Sequence, residues 1–395
     1  MTNPTLDRAR AYQDELVAIR RDIHAHPELG LEEYRTADLV AQKLEEWGIE
    51  VHRGVGKTGV VGVLRNGNGQ ASVGLRADMD ALPILEATGL PHASQHPGRM
   101  HACGHDGHTT MLLGAAKYLA ETRNFNGTVN FIFQPAEEGI GGALEMLKDG
   151  LFERFPCDAV YGMHNRPGLP VGRFMTGPSA RAAGGAFFDI VITGKGAHGA
   201  HPSQSIDPVL VACHLGTALQ SIVSRNVSAM DTAVLSITRI QSGDAYNVIP
   251  QSAIMAGTVR TLKSEVMTLM EANMRRLATS VAAGFGAEAT VDFRVIFAPM
   301  VNNDDEFEAY AEAAADLVGE GAVRRDAPPG MGSEDFSFMM EQVPGAHINL
   351  GNGDSAALHN HLYDFNDDAI PYGVALYGAI VEKKLPKADL GDTER

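Results

Sequence analysis

Residues 101–108 combine three histidines, a cysteine and an aspartate within eight positions, in the order His-Ala-Cys-Gly-His-Asp-Gly-His. Neutral imidazole and thiolate are the ligands that zinc and its first-row neighbours prefer. Asp106 can serve as a further ligand or as an acceptor for an imidazole N–H. The Cys-x-His spacing is shorter than most structural zinc spacings, so a histidine-rich polar loop without metal is the alternative at this point.

Three apolar strands elsewhere in the chain end in acidic or imidazole residues. The strands are predicted at residues 72–76, 129–133 and 159–163. The side chains that follow them are Asp78, Asp80, Glu137, Glu138 and His164. In open α/β sheets, ligand sites form outside the carboxyl ends of the strands. We therefore expect these residues and the Cys/His stretch to converge on one site.

The collected side chains are numerous enough to hold two metal ions. They are Cys103, His105, Glu137, Glu138, His164, and either His359 or His361. Two metals roughly 3.5–4 Å apart can lower the pKa of a shared water and polarise a carbonyl. Adjacent side chains in an extended segment point to opposite sides, so one glutamate of the pair can bind metal while the other acts as general base. Asp80 is suited to orienting a histidine, with a turn or helix-capping aspartate as the equal alternative.

The predicted strands and helices around these residues indicate an α/β fold with a central mixed sheet flanked by helices. From about residue 184 the order becomes β-α-β-β-α-β, which is the split βαβ module of two helices on an antiparallel sheet. We therefore expect a discontinuous metal-binding catalytic domain of residues 1–183 and 298–395. Residues 184–297 would form an inserted domain.

Two local predictions concern the connections around the Cys/His stretch. The sequence Asn66-Gly67-Asn68-Gly69 between strands at 60–64 and 72–76 predicts a hairpin. A helix with Met111, Leu112 and Leu119 on its inner face is predicted from about residue 108 to 122.

Composition narrows the class of protein. The chain has 395 residues, which favours two domains, and a formal net charge of -17, which opposes binding to nucleic acid or to anionic membranes. No stretch reaches the apolar length of a membrane span, and the N-terminus lacks the layout of a signal peptide. The three cysteines are widely spaced and odd in number, so a disulfide framework is not expected and a reducing cytoplasm fits best.

The inserted segment carries its own polar features. Residues 194–202 form a glycine-containing loop with His198 and His201, for which a flexible linker is the alternative. Asn247 lies in the segment Asn-Val-Ile-Pro. Arg260 lies at the end of an apolar strand, where its fork-shaped cation can hold a carboxylate, although a surface salt bridge is the usual alternative.

These motifs together resemble the binuclear metallohydrolases of the aminoacylase/carboxypeptidase type. The resemblance is to the amidohydrolase branch that holds hippurate hydrolase, the auxin-conjugate hydrolases and N-acetyl-diaminopimelate deacetylase. The matching segments run through nearly the whole chain in family order: 76–83, 101–108, 134–138, 163–164, 194–198, 247–250, 257–260, 332–336 and 358–359. The wider family usually has an aspartate as the bridging ligand where this chain has Cys103, which is typical of the amidohydrolase branch.

The resemblance implies a role for each matching residue. The metal ligands would be Cys103, His105, Glu138, His164 and His359. Glu137 would be the general base, and His198 would stabilise the oxyanion in the active site of a partner subunit. Asn247 and Arg260 would hold the substrate carboxylate. Asp80 and Asp106 are expected beside the ligands, and His361 stands close enough to His359 to compete for the metal.

The resemblance also implies an activity. Two divalent ions per subunit (zinc, manganese, cobalt or nickel) would activate a water that cleaves the amide of a small N-acyl-amino acid. The products would be a carboxylic acid and a free amino acid. The inserted domain would be a lid that forms a homodimer or homotetramer. A dipeptidase or carboxypeptidase, and a non-catalytic binding protein on the same scaffold, are the alternatives. The sequence leaves the acyl group, the amino acid and the physiological metal open.

Overall fold

The computed structural model describes residues 3–139 and 141–387, which divide into two compact units. The first unit contains the described residues up to Arg181, then Val301–Pro328, and those from Asp335 onward. The second unit contains Ala182–Met300 and also Pro329–Glu334. The second unit thus takes in a short segment that returns from the C-terminal part of the chain.

Sixteen strands and eleven α-helices make up the described chain. Up to residue 182 they are α1 (Pro4–Arg10), α2 (Gln13–Ala25), α3 (Tyr34–Glu46), β1 (Glu50–Val55), β2 (Gly59–Asn66), β3 (Ser72–Asp78), α4 (His105–Thr122), β4 (Gly127–Gln134), α5 (Gly142–Lys148), α6 (Leu151–Arg154), β5 (Ala159–Arg166), β6 (Phe174–Met175) and β7 (Ser179–Ala182). Next come β8 (Gly184–Thr193), β9 (Ala197–His198), α7 (Pro208–Ser221), β10 (Ala233–Gln241), β11 (Val248–Ile249), β12 (Ser252–Thr261), α8 (Ser264–Gly284) and β13 (Glu288–Phe297). The last elements are β14 (Met300–Asn302), α9 (Asp304–Val318), β15 (Val323–Arg324), α10 (Phe336–Gln342), β16 (Gly345–Gly351) and α11 (Ile370–Lys384).

An eight-stranded mixed sheet organises the first unit, in the order β1-β2-β4-β3-β5-β16-β6-β15. The four central strands, β4, β3, β5 and β16, run parallel to one another. β1 and β2 are antiparallel additions at one edge. Every residue of β3 is buried, as expected for a central strand covered on both faces. The predicted α/β fold with a central mixed sheet is confirmed.

The hairpin predicted at residues 66–69 is wrong. β4 lies between β2 and β3, antiparallel to the first and parallel to the second. The turn is instead fastened to the connection between α4 and β4. The Asn126 side-chain oxygen accepts from the backbone N–H groups of Asn68 at 3.0 Å and Gly69 at 2.8 Å. A local turn signal therefore does not determine which strand fills the neighbouring position.

Helix α4, which begins within the Cys/His stretch, is largely buried. In α4, every residue from His105 to Ala116 is buried, and the helix packs against α11 and α2. Its apolar side chains belong to the main core with those of β3 and β4. Among the described residues, no helix is both long and apolar enough to cross a membrane.

The second unit is built on a four-stranded antiparallel sheet in the order β10-β12-β8-β13. Along the chain, the strands of this sheet and the two helices follow in the order β8-α7-β10-β12-α8-β13. The short strands β9 and β11 lie between them in the sequence. Alternate residues of β12 are buried, and the apolar faces of α7 and α8 supply the rest of a separate core. β9 and β11 pair with each other as a small antiparallel ribbon.

Candidate metal centre and active site

A glycine in a left-handed conformation starts α4 and sets the position of its first residues. Gly104 has a φ of +94° and precedes the helix, which begins at His105 although the sequence predicted a start at about residue 108. A Cβ atom at position 104 would lie 2.4 Å from Asn165 Oδ1 and 2.7 Å from the Tyr363 hydroxyl. Only glycine fits this turn, which places Cys103 before the helix and His105 in its first turn.

The carboxyl ends of the central strands meet at the same edge of the sheet. Asp78, the last residue of β3, lies opposite Gln134, the last residue of β4. On the other side of β3, Arg76 lies opposite Gly162, two residues before His164 in β5. The expected convergence of strand ends is therefore present in the first unit.

The structure brings the predicted metal ligands together in two groups that share one residue. Within each group, the candidate donor atoms lie within 4.8 Å of one another. The first group is Cys103, His105 and His164, and the second is Cys103, Glu138 and His359. Cys103 is the residue that these two groups share. Glu137 forms a third such group with His105 and Glu138, which places it beside the same centre.

His105 is oriented with one nitrogen held and the other available. Its Nδ1 lies 2.9 Å from the Asp80 carbonyl oxygen and 3.2 Å from Asp80 Oδ1, so the proton is assigned to Nδ1. Its Nε2 is buried without a hydrogen-bond partner among the described residues. A ring held through one nitrogen, with the other unprotonated, is the usual arrangement of a metal-binding histidine.

His164 is held through its Nδ1, as His105 is, and Glu138 is held through its backbone amide. His164 Nδ1 lies 2.7 Å from the Asn165 carbonyl oxygen, and its Nε2 lies 3.4 Å from Cys103 Sγ. The Glu138 backbone N–H donates to Asp80 Oδ2 at 2.9 Å. Glu138 Oε1 lies 3.1 Å from His359 Nε2. Asp80 therefore contacts two of the predicted ligands.

The loop that carries His359 is tied to the Cys/His stretch through its backbone. The His359 N–H donates to the Ala102 carbonyl at 2.7 Å, and the residue has a φ of +62°. Histidine tolerates this left-handed region better than most side chains, and strain of this kind clusters at functional sites. His361 is exposed, and its carbonyl accepts from the Ala87 N–H at 2.9 Å. His359 rather than His361 belongs to a donor group.

The donor set fits divalent first-row cations. It combines one thiolate, imidazole nitrogens and a carboxylate, which are ligands for zinc, manganese, cobalt or nickel. Burial raises the pKa of the Cys103 thiol well above its usual value. A bound cation would stabilise the ionised form of this buried thiol. Cation binding would also account for the buried His105 Nε2, which has no hydrogen-bond partner among the described residues.

Asp106 lies next to the centre but pairs with a different set of residues. Its Oδ2 is 2.8 Å from His24 Nδ1 and 3.5 Å from Arg20 Nη1, and all three side chains are buried. The rings of His92 and His101 pack against His24. Asp106 thus fastens the start of α4 to α2. From the sequence we expected Asp106 beside the ligands, but among the described residues its side chain bonds to Arg20 and His24 of α2.

The pKa of His24 should make the first unit lose stability as the pH rises. Burial alone would lower this pKa and Arg20 opposes the charged ring, but Asp106 and Glu86 raise it to about 9. An unfolded histidine has a pKa of about 6.5. The stabilisation is therefore complete below about pH 6.5 and is lost as the pH rises through about 9. The shift corresponds to about 3 kcal/mol of unfolding free energy across this window.

Urea unfolding at pH 6.5 and at pH 9 measures this effect, with fluorescence of Trp47, the single tryptophan, as the probe. His24→Gln removes the titration, so its unfolding free energy should fall less over the same window. His26→Gln, a change in a half-buried histidine that ends the same helix, controls for the loss of an imidazole. An equal fall in wild type and His24→Gln would refute the assignment.

One buried network beside the ligands was not expected from the sequence. His108 Nδ1 lies 2.6 Å from Asp78 Oδ1, and the Asn165 backbone N–H donates to His108 Nε2 at 3.0 Å. Arg76 Nη1 donates to Asp78 Oδ2 at 2.8 Å. His108 thereby fixes the backbone that follows His164. The sequence contains an Asp-x-Asp pattern at residues 78–80, but nothing in this pattern distinguishes the two aspartates.

The second unit carries His198 and Asn247 on one small ribbon. His198 pairs with Val248 across β9 and β11, and the Gly199 N–H donates to the Asn247 carbonyl at 2.7 Å. The Ala200 N–H donates to His198 Nδ1 at 3.0 Å, which leaves the proton on Nε2. Exposed His198 can therefore donate a hydrogen bond through Nε2.

Arg260 lies apart from this ribbon, in β12 of the four-stranded sheet. Its Nη1 donates to the Val259 carbonyl at 3.0 Å and to the Thr258 hydroxyl. Burial lowers the pKa of its guanidinium. The residue is held in place by its own strand, and the side chain is half-buried.

Comparison with known proteins identifies the relatives of this chain. Residues 74–383 match the peptidase family M20/M25/M40. The chain is 45% identical over 373 residues to a hippurate hydrolase from Campylobacter jejuni, covering 94% of this chain and 97% of that protein. It is 41% identical over 364 residues to an N-acetylcysteine deacetylase from Bacillus subtilis, covering 91% and 94%.

A solved structure agrees with the fold. A protein from Bacillus subtilis, described as a dinuclear metal-binding peptidase of the M20 family, matches with a TM-score of 0.84 and 36% identity. The match covers 94% of this chain and 98% of the other.

Proposed function

The chain belongs to the M20/M25/M40 peptidase family of hydrolases, and from this membership we propose that it is a metal-dependent hydrolase of N-acyl-amino acids. The observation that carries the proposal is the convergence of two donor groups on Cys103, with Glu137 beside them. The relatives named as hippurate hydrolase and N-acetylcysteine deacetylase both act on an amide that joins an acyl group to an amino acid, which supports this substrate class.

We propose that the two donor groups each hold one divalent cation. Cys103, His105 and His164 would hold the first, and Cys103, Glu138 and His359 the second. When bound, such a pair supplies a Lewis acid that polarises the amide carbonyl and lowers the pKa of water. Asp80 contributes by holding both His105 and the backbone of Glu138.

Glu137 is proposed as the general base. Its side chain is 7% exposed and lies in one donor group with His105 and Glu138. The carboxylate takes a proton from the attacking water as the new C–O bond forms. It then gives that proton to the leaving nitrogen as the C–N bond breaks. One water and one amide thus become one carboxylic acid and one amine.

The second unit is proposed to act as a lid and dimerisation domain. His198 would donate a hydrogen bond from its Nε2–H to the oxyanion that forms as water attacks the carbonyl. Asn247 and Arg260 would bind the carboxylate of the amino-acid part of the substrate. His198 and Asn247 are exposed on their ribbon, which suits residues that act in the site of a partner subunit.

A mixing experiment tests the role of His198 in a partner subunit. His198→Ala and Glu137→Ala homodimers should each be nearly inactive. In a heterodimer, the intact Glu137 of one chain meets the intact His198 of the other, which restores one of two sites. Random exchange makes about half the dimers mixed, so activity should return to about a quarter of wild type. No recovery, with subunit exchange verified by native mass spectrometry, would exclude a shared site.

We place the protein in the cytoplasm on the basis of its cysteines. Among the described residues Cys103, Cys157 and Cys213 are all free thiols. A free thiol at a metal centre is open to oxidation, so a reducing compartment suits it.

The substrate class is tested by a panel on metal-loaded protein. Hippurate and N-acetyl-amino acids would be compared with dipeptides that carry a free amino terminus. We expect kcat/KM to be at least about tenfold higher for the acylated amino acids, because recognition of their amide would require no ammonium group on the substrate. A preference for dipeptides would replace it with a peptidase function. Hydrolysis of neither class would favour a binding protein.

A further inference from the structure

The buried carboxylate of Glu33 holds the loop that carries Glu137. Glu33 lies immediately before α3 and is 0% exposed. Its Oε1 accepts from the Ala136 backbone N–H at 2.8 Å, and its Oε2 accepts from the Thr58 hydroxyl at 2.5 Å. A charged side chain is rarely buried unless its acceptors are satisfied. Among the described residues, this hydroxyl and one amide of the loop are two of the groups that satisfy its carboxylate.

The loop has an unusual backbone just where the amide is held. Ala136 has a φ of +50°, which is unfavourable for a residue with a Cβ atom. Its carbonyl accepts from the Gly142 N–H at 2.9 Å. A Cβ atom at position 142 would lie 1.6 Å from the Pro135 carbonyl oxygen, so only glycine permits this closure. Such a conformation persists only where surrounding contacts determine it.

A second buried carboxylate holds the loop on the other side of Glu137. The Glu138 N–H donates to Asp80 Oδ2 at 2.9 Å, while the Ala136 N–H donates to Glu33 Oε1 at 2.8 Å. The residue between them, Glu137, is therefore fixed through both neighbouring amides.

We propose that Glu33 is a positioning residue for Glu137, acting through its hydrogen bond to the Ala136 amide. This inference rests on the proposed role of Glu137 as general base. Without the acceptor, the Ala136 N–H would be buried and unpaired, and its left-handed backbone would lose the contact that determines it. The Glu137 carboxylate would move with the loop, and a displacement of about 1 Å from productive geometry can cost about a hundredfold in rate.

The role requires an acceptor oxygen rather than a negative charge. Burial raises the pKa of Glu33 to about 7, with the Thr58 hydroxyl opposing the shift. Both the ionised and the neutral carboxyl offer an oxygen to the Ala136 amide. Glutamine offers the same oxygen, and its amide N–H can donate to the Thr58 hydroxyl.

Two substitutions of Glu33 distinguish the loss of the hydrogen-bond acceptor from a change in side-chain volume. Glu33→Gln should keep kcat within about threefold of wild type. Glu33→Met has a similar length but no acceptor, so kcat should fall at least about tenfold while KM changes by less than about twofold. Both variants should keep the metal content of wild type.

Amide hydrogen exchange on the segment 134–139 provides a readout that needs no activity. The Ala136 amide should be protected in wild type and in Glu33→Gln, and it should exchange faster in Glu33→Met. Glu306→Met is the matched control, because Glu306 is a buried carboxylate of the same unit that pairs with Lys384 and Tyr161. It should lower thermal stability without changing kcat or the exchange of this segment.

Either readout can overturn the inference. An unprotected Ala136 amide in wild type would refute the hydrogen bond without any variant. Unchanged kcat and exchange in folded Glu33→Met would refute the positioning role. A wild-type protein that hydrolyses no amide would overturn the proposed function, while hydrogen exchange would still decide whether Glu33 holds the loop.

Discussion

Glu137→Ala should lower kcat by about 10²–10⁴-fold while the protein keeps its metal ions, since a general base contributes rate enhancement of this size. Glu137 lies among the donor atoms but outside the two groups that share Cys103. Removing it should therefore take away the proton acceptor without emptying either group. Steady-state kinetics and elemental analysis of the same sample measure both quantities.

The control for Glu137→Ala is a second glutamate that lies outside the donor groups. Glu145→Ala alters a half-exposed glutamate in α5, the helix that follows the loop, and should leave kcat unchanged. Near-normal turnover in Glu137→Ala would exclude it as the base. Loss of a metal ion from the same variant would instead make Glu137 a ligand, as the group that it forms with His105 and Glu138 permits.

Cys103→Ala should weaken the binding of both metal ions, because Cys103 is the one residue common to the two groups. Changes to partners that only orient ligands already cost about 10–100-fold in metal affinity, so loss of a shared ligand should cost at least about a hundredfold. His164→Ala and His359→Ala should each weaken one ion. Activity should fall to background in Cys103→Ala.

Metal titration calorimetry on stripped protein measures these affinities and stoichiometries. Cys213→Ala is the matched control, since Cys213 is an exposed thiol in α7 of the second unit. It should bind two ions as wild type does. Two ions bound with unchanged affinity in Cys103→Ala would contradict the bridging role, and selective loss of one ion would assign the cysteine to a single group.

The convergence of strand ends could be predicted from the sequence because it follows from topology. Parallel strands must end at the same edge, so polar residues that follow buried strands are brought together whatever their separation in the chain. Glu137, Glu138 and His164 illustrate this rule. The order of strands could not be predicted in the same way, because the turn at Asn66–Gly69 is compatible with any neighbour for β2.

The contacts that support the site were the least predictable part. Glu33 meets the Ala136 amide across about a hundred residues of chain, and Asp106 meets His24 across a similar distance. No periodicity or motif marks a buried carboxylate that accepts one distant amide. The tight start of α4 also depends on distant residues, since Asn165 and Tyr363 occupy the space beside Gly104.

The dependence of hydrolysis on two metal ions can be measured by titrating metal-free protein with Mn²⁺ or Zn²⁺ while following release of the amino acid from its best N-acyl substrate. We expect almost no turnover without metal and a rise that ends at about two ions per subunit, because each donor group would hold one ion. Full turnover by the stripped protein, or saturation with both ions bound but no hydrolysis, would contradict this dependence.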